Sequence, residues 1–375
     1  MASTDILVVG GGIVGQVAAI ELAEAGARVT IVDAASNAGS TANAGSLHVQ
    51  MQSRFMRLYP DQVPKLEASL PFYQAAAEEW VALDAAHGPF ELVRNGGLML
   101  AESPDQLAFL EAKAGREARK GLSVEMLDRT GLERIAPWLG PQILGAELCR
   151  DEGKLNPLTV NNRLRTRVSA LDIRCVTDRI GRIDHAGSGV TARGVSADYR
   201  ADRVIVAAAW GAGDLMGPHD LTIPTRAEPL HMNITEAGGE QIRHLIQHAE
   251  RSITLKQLGS GQVVIGGGWP ARDRGRDAVP GVEMMSVLGN VALAARLAPS
   301  IGGLRILRTW AGMNTVIDGA SVIGSLPATD RIMMALPGDA GYTLGPLVAR
   351  MVAAMMLGRT PPHDPVQFAP SRFAA

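Results

Sequence analysis

Residues 5–33, DILVVGGGIVGQVAAIELAEAGARVTIVD, constrain this chain more than any other stretch. DILVV is a short continuous apolar run, the pattern of a strand buried on both faces. Gly10, Gly12 and Gly15 follow at once as GxGxxG, and Val14, Val17, Ala18 and Leu22 then recur at helical spacing up to a stop at Gly26. A second strand, RVTIVD, ends on Asp33. Strand, glycines, helix, strand and terminal acid in this order form a βαβ unit that binds a dinucleotide. Gly10 permits the tight turn, Gly12 lets backbone approach a pyrophosphate, and Gly15 lets helix and strand pack closely. The helix N-terminus offers free N–H groups to the anion, and Asp33 accepts hydrogen bonds from a ribose hydroxyl. Glycines serving packing alone would not need that acid at the second strand's end.

The remaining composition limits what such a unit serves. A length of 375 residues predicts two domains, or one large core with an insertion. With 46% hydrophobic and 20% charged residues, the chain falls among ordinary globular proteins. A net charge of −2 offers no broad basic surface, so a small-molecule substrate is expected rather than nucleic acid. Cys149 and Cys175 form no CxxC pair and neighbour no histidine cluster, so neither a disulfide framework nor a metal site is expected. There is no basic n-region before the first strand and no apolar run of membrane-spanning length, and the expectation is a cytoplasmic protein without a membrane span.

The fingerprint does not separate NAD from FAD, so later segments must decide. Residues 202–213, DRVIVAAAWGAG, read as a buried strand returning beside the first. From Arg331 a further strand turns through Gly338, Gly341 and Gly345 into an amphipathic helix with Pro346 near its first position. Met351, Met355 and Met356 read as plain core residues of that helix. Its N-terminus is a second anion-favouring site, suited to the charge that builds on the N1 and C2 carbonyl edge of a reduced flavin. The run GSTANAGSLHVQMQSR, residues 39–54, begins six residues after Asp33 and has two readings, a surface loop or a cofactor wall. The wall is expected, because a doubly wound topology carries this segment under the pyrophosphate.

Together, GxGxxG with Asp33, STANAG, VIVAAAWGAG, WAGMNTVIDGASVIG and PGDAGYTLGP resemble the FAD-dependent D-amino-acid oxidase superfamily, which includes glycine oxidase, sarcosine oxidase and D-amino-acid dehydrogenase. ANAGSLHVQMQSRF, DEGKLNPL and GYTLGP are most similar to the β subunits of opine oxidases and dehydrogenases and to the hydrogen cyanide synthase subunit. The resemblance implies an α/β fold: a Rossmann-like FAD-binding domain with an inserted α+β substrate domain built on an antiparallel-rich sheet. The FAD domain would comprise residues 1–85, 146–220 and 310–375, and the substrate domain residues 86–145 and 221–309. Strands are expected in residues 90–102, 225–236, 252–257 and 262–267. FAD contacts would come from Gly10, Gly12, Ile13, Val14, Gly15, Asp33, Ala34, Ser40, Thr41, Asn43, Ala44, Gly45 and Ser46. Val176, Ala208, Trp210, Gly312, Gly338, Gly341, Tyr342 and Thr343 would complete them. Neither cysteine lies in the C-terminal segment where some relatives attach the cofactor, so FAD is expected to be noncovalent.

The chemistry implied is hydride transfer from the carbon beside an amine to flavin N5, giving an imine that water hydrolyses. It demands a neutral amine held at close range rather than a strong base. Arg54 and Arg57 are candidates for a substrate carboxylate, since a guanidinium recognises one bidentately. Asn314 stands where D-amino-acid oxidases place an arginine in GxRP, which points away from a simple D-amino acid and towards an N-carboxyalkyl amino acid. His48 and His231 are candidates for substrate binding or amine deprotonation. Tyr342 would touch flavin or substrate. Lys256 could sit near N5, but an exposed strand lysine is its expected role. The function expected is amine oxidation by one subunit of a complex whose α and γ subunits carry electrons onward. A stand-alone oxidase releasing hydrogen peroxide, a non-catalytic flavin-binding subunit and a flavin-free NAD dehydrogenase are the alternatives.

Overall fold

The structure, a computed structural model, describes residues 4–36, 39–187, 189–239, 242–276 and 278–374. Thr4–Val9 pairs in parallel with Val29–Asp33 on one side and with Asp198–Val206 on the other. The apolar run is therefore a central strand, with Leu7 and Val8 wholly buried from opposite faces. Thr329–Leu336 continues the sheet beyond Asp198–Val206, Arg174–Thr177 closes its other edge, and a hairpin of Ile180–Ala186 and Gly189–Gly194 extends from Asp198–Val206. The helix Ile13–Glu24 covers one face and ends just before Gly26, whose φ of +94° suits a residue without a Cβ. The C-terminal helix Gly341–Met356 packs beside it, Met351 and Met356 lying in the shared core.

The second sheet has eight strands in the order Ile306–Val316, Arg226–Ala237, Gln262–Gly266, Thr254–Gln257, Leu245–His248, Gly97–Ala101, Gly145–Cys149 and Val124–Asp128. All neighbours are antiparallel except Leu245–His248 with Gly97–Ala101. The mixed α/β fold is thus the one expected, with an antiparallel-rich sheet beside a doubly wound one. A two-stranded ladder, Ser46–Leu47 with Gly153–Lys154, lies between them.

Several local expectations change. Gly145–Cys149 and Ile306–Val316 belong to the second sheet, so both strands straddle boundaries drawn at 145/146 and 309/310. The strand expected over 90–102 shortens to Gly97–Ala101, because Glu91 and Gly96 adopt φ of +58° and +86°. Pro346 is the sixth residue of its helix rather than the first. Lacking an N–H, it leaves the Tyr342 carbonyl without its helical donor. The Trp80 indole N–H supplies one, lying 3.1 Å from the carbonyls of Tyr342 and Thr343 alike. No helix among the described residues is long and apolar enough to cross a membrane.

Candidate functional site

The glycine turn shows why each of its residues is small. A Cβ on Gly10, where φ is +110°, would lie 2.3 Å from the Ala207 carbonyl at the end of the neighbouring strand. One on Gly15 would lie 1.8 Å from the Gly10 carbonyl, and one on Gly12 would meet Ser40 Oγ at 3.0 Å. Ser40 in turn accepts from the Ile13 N–H at 2.9 Å, tying residues 39–42, a short helical turn, to the start of the first helix. Asp33 accepts from the N–H groups of Gly11 and Ala35 at 2.6 and 2.7 Å. The acid stands against the turn, where a ribose would meet it.

From this turn a cavity of about 700 Å³ runs between the sheets to the second helix N-terminus. Gly10, Gly12, Ile13, Val14, Asp33 and Ala34 form part of its wall. Ser40, Asn43, Ala44 and Ser46 line it with Ala208, Trp210 and Gly312, and so do Gly338, Gly341, Tyr342 and Thr343 at the start of the second helix. The run after Asp33 is therefore a cavity wall rather than a surface loop. Gly15, Thr41 and Gly45 lie behind it, Gly45 donating to Asn43 Oδ1 at 2.6 Å and accepting from the Leu155 N–H at 2.9 Å. Val176 pairs with Val32 but stays off the wall; residues 178–181, just beyond its strand, line the cavity instead. Neither cysteine touches the cavity. Glycines that leave room for a pyrophosphate, an acid at ribose reach and two helix N-termini on one cavity wall suit an FAD. Among the described residues no group of three or more His, Cys, Asp or Glu gathers around a possible metal.

Four of the five reactive candidates, His48, His231, Arg54 and Tyr342, meet at this cavity. Arg54 and Arg226 are the wall arginines that, among the described residues, make neither a hydrogen bond nor an ion pair. Arg54 lies exposed against Gly268 at the mouth, where a Cβ would come within 3.1 Å of its Nη1. Arg57 points away, donating to the Ala249 carbonyl and covering the Phe109 ring. Asn314 lies opposite Glu228 in the ladder and donates to its carboxylate at 3.4 Å. That carboxylate helps burial push Asp339 up to about 6, against the opposing charge of Arg226.

The interior groups are set by burial. His231 is wholly buried, both ring nitrogens lack partners, and desolvation holds it below the usual histidine range. Tyr342 stacks on Trp80 at 5.2 Å with its hydroxyl unpartnered, and burial raises its phenol. Lys256 overturns the expectation of an exposed lysine: it is 1% exposed and donates to Ser46 Oγ at 2.9 Å. Leu255, Lys256 and Gln257 are buried in succession, so both faces of the strand Thr254–Gln257 are covered. Burial, then the charge of Lys154, holds its amine well below the ordinary lysine value, while burial brings Lys154 down to about 8.

Sequence reasoning did not single out Arg226, Gln247 or Glu152. Arg226 and Gln247 line the wall, and Glu152 lies behind it with His48 Nδ1 at 3.8 Å. Glu152 falls within the quoted DEGKLNPL motif, which was the available signal.

Comparison with known proteins agrees with this geometry. The family described as FAD dependent oxidoreductase (DAO) matches residues 5–355. Glycine oxidase of Pseudomonas aeruginosa is 25% identical, over 98% of this chain and 99% of its own. An opine oxidase subunit of Rhizobium meliloti is 24% identical, over 83% of this chain and 82% of its own. The structure of glycine oxidase from Geobacillus kaustophilus superposes with a TM-score of 0.85 at 19% identity, covering 99% of each chain. The glycine cradle, the acid beside it and the family match over almost the whole length make this chain a member of the DAO family of FAD-dependent oxidoreductases.

Proposed function

We propose that this chain oxidises the C–N bond of a carboxylate-bearing secondary amine of the N-carboxyalkyl amino acid class, giving an imine that hydrolyses. It does so as the flavin-carrying β subunit of a complex whose α and γ subunits pass electrons onward. The observation that carries the substrate class is the placement of charge on the wall: Arg54 stands unpaired at the mouth, whereas Asn314 is engaged with Glu228. A carboxylate is therefore received at the mouth rather than from the strand Ile306–Val316. Arg226, also without an ion pair among the described residues, suits a second carboxylate. The similarity to the Rhizobium meliloti opine oxidase, a relative that is itself one subunit, supports both the class and the subunit role.

When bound, FAD supplies the hydride acceptor. Gly10, Gly12, Ile13 and Val14 would hold its pyrophosphate, Asp33 its ribose and the turn from Gly338 to Thr343 its ring, all without a covalent bond. Arg54 and Arg226 orient the substrate, His48 serves its amine, His231 and Tyr342 shape the dry interior, and Lys256 reaches the wall through Ser46. This site acts by positioning and by excluding water.

The test is an anaerobic flavin-reduction screen with opines, sarcosine, glycine, proline and D-amino acids. Opines are expected to bleach the flavin fastest; a higher limiting rate with glycine or a D-amino acid would remove the substrate class, and no bleaching by any of them would leave a non-catalytic flavin subunit. A stand-alone oxidase is the second reading, favoured by the full-length match to glycine oxidase. Hydrogen peroxide stoichiometric with substrate, made by this chain alone, decides for it.

A further inference from the structure

Residues 48–51 belong to no strand; His48 lines the cavity, and Val49, Gln50 and Met51 run buried behind it. Buried backbone donors need partners, and here side chains provide them. The His48 N–H donates to Thr343 Oγ1 at 3.0 Å, those of Val49 and Gln50 to Glu152 Oε1 at 3.0 and 3.3 Å, and that of Met51 to Glu117 Oε1 at 2.6 Å. Glu152 Oε2 accepts from Gln50 Nε2 at 2.8 Å and Gln247 Nε2 at 2.7 Å. Lys113, itself wholly buried between Glu117 and Glu147, holds the Gln50 Oε1 at 3.0 Å.

Every neighbour of Glu152 in this set is a donor, as an acceptor-only carboxylate requires. His48 stands beside them. Its Nδ1 is buried, lies 3.8 Å from Glu152 Oε1 and has no hydrogen bond, while the ring lines the cavity and keeps 23% of its side-chain surface open. A carboxylate facing Nδ1 favours the tautomer with the proton on that nitrogen, leaving the Nε2 lone pair towards the cavity.

We propose that Glu152 is a positioning residue for His48, fixing the Nδ1–H tautomer so that Nε2 takes the proton of the incoming substrate ammonium. In this step the ammonium N–H bond breaks, its electron pair stays on the amine nitrogen, and an Nε2–H bond forms. The imidazolium is then stabilised by the Glu152 charge, and its extra proton leaves to water. The inference rests on the amine-oxidation reading for its chemistry, but the tautomer itself does not.

Two measurements decide it. Long-range ¹H–¹⁵N NMR of the FAD-loaded protein, with the ring signals assigned by His48→Asn, is expected to show the Nδ1–H tautomer in the wild type. Glu152→Gln should lose that preference and Glu152→Asp should keep it. An Nε2–H tautomer in the wild type overturns the proposal without any variant, whether or not Glu152→Gln folds. In the anaerobic assay, Glu152→Gln should slow the limiting rate of flavin reduction by about tenfold or more. Glu152→Asp should recover most of it, and adding Glu152→Gln to His48→Asn should cost nothing further. An equal loss in the His48→Asn background means a purely structural role. Failure of every amine to reduce the wild type ends the amine reading, while the tautomer still tests Glu152.

Discussion

Arg54 is valuable as a site residue because nothing among the described residues neutralises it: its guanidinium lies over Gly268 at the cavity mouth. Removing a charge-assisted bidentate contact costs about 1.5–3 kcal/mol, or roughly tenfold to a hundredfold in affinity. Arg54→Ala should raise KM by that factor for carboxylate substrates with much less change in kcat, and Arg54→Lys should recover little of it because an ammonium cannot fork. Steady-state kinetics with an opine and its amide check this. Lys256 makes the opposite case, a charge the fold suppresses. The folded protein holds its amine neutral at pH values where the unfolded chain, with a lysine near 10.5, is protonated. The unfolded state then binds more protons, so this lysine destabilises the fold at neutral pH and ceases to do so as pH rises towards 10.5. Lys256→Met should therefore raise Tm at pH 7, with a gain that shrinks on approaching pH 10. Thermal unfolding at the two pH values measures it.

At the scale of the element, the C-terminal helix trades regularity for a docking point. Pro346 removes a helical donor, and Trp80, from the helix Leu70–His87, replaces it at the Tyr342 and Thr343 carbonyls while stacking on the Tyr342 ring. The two helices are thereby locked at the turn that faces the cavity. Trp80→Phe strands buried carbonyls and should cost about 1–3 kcal/mol in urea unfolding. Pro346→Ala restores an N–H for Tyr342, so the Trp80→Phe loss should be smaller in that background; additivity of the two changes would show that the indole does not serve this carbonyl.

For the whole molecule, the cavity is the seam: its wall takes residues from both large sheets and from the 39–54 run between them. A ligand that fills the seam stabilises both sheets at once. FAD held at about a hundredfold over its Kd should add about 2.7 kcal/mol. Stripping FAD should lower Tm, and restoring it should bring Tm back in one transition. Gly15→Ala, which sets a Cβ against the Gly10 carbonyl, should lose both FAD retention and that restoration.

The cofactor half of this molecule was legible in the sequence because its constraints are local. A turn with no room for a Cβ demands glycine at Gly10 and Gly15 whatever surrounds it, and Asp33 follows at a distance set by one helix and one strand. The substrate half was less legible because its decisive contacts join residues far apart in the chain. Lys256 reads as an exposed lysine until the segment carrying Ser46 covers its face of the sheet, and Glu152 acquires meaning only when residues 48–50 fold over it from about a hundred positions away. By itself the sequence determined the βαβ unit, the dinucleotide site and the family pattern, all written in spacing along one chain. Only the tertiary structure decided which charges remain unpaired at the cavity and which are buried. Desolvation and ion pairing depend on what packs around a side chain, and linear spacing carries no record of that.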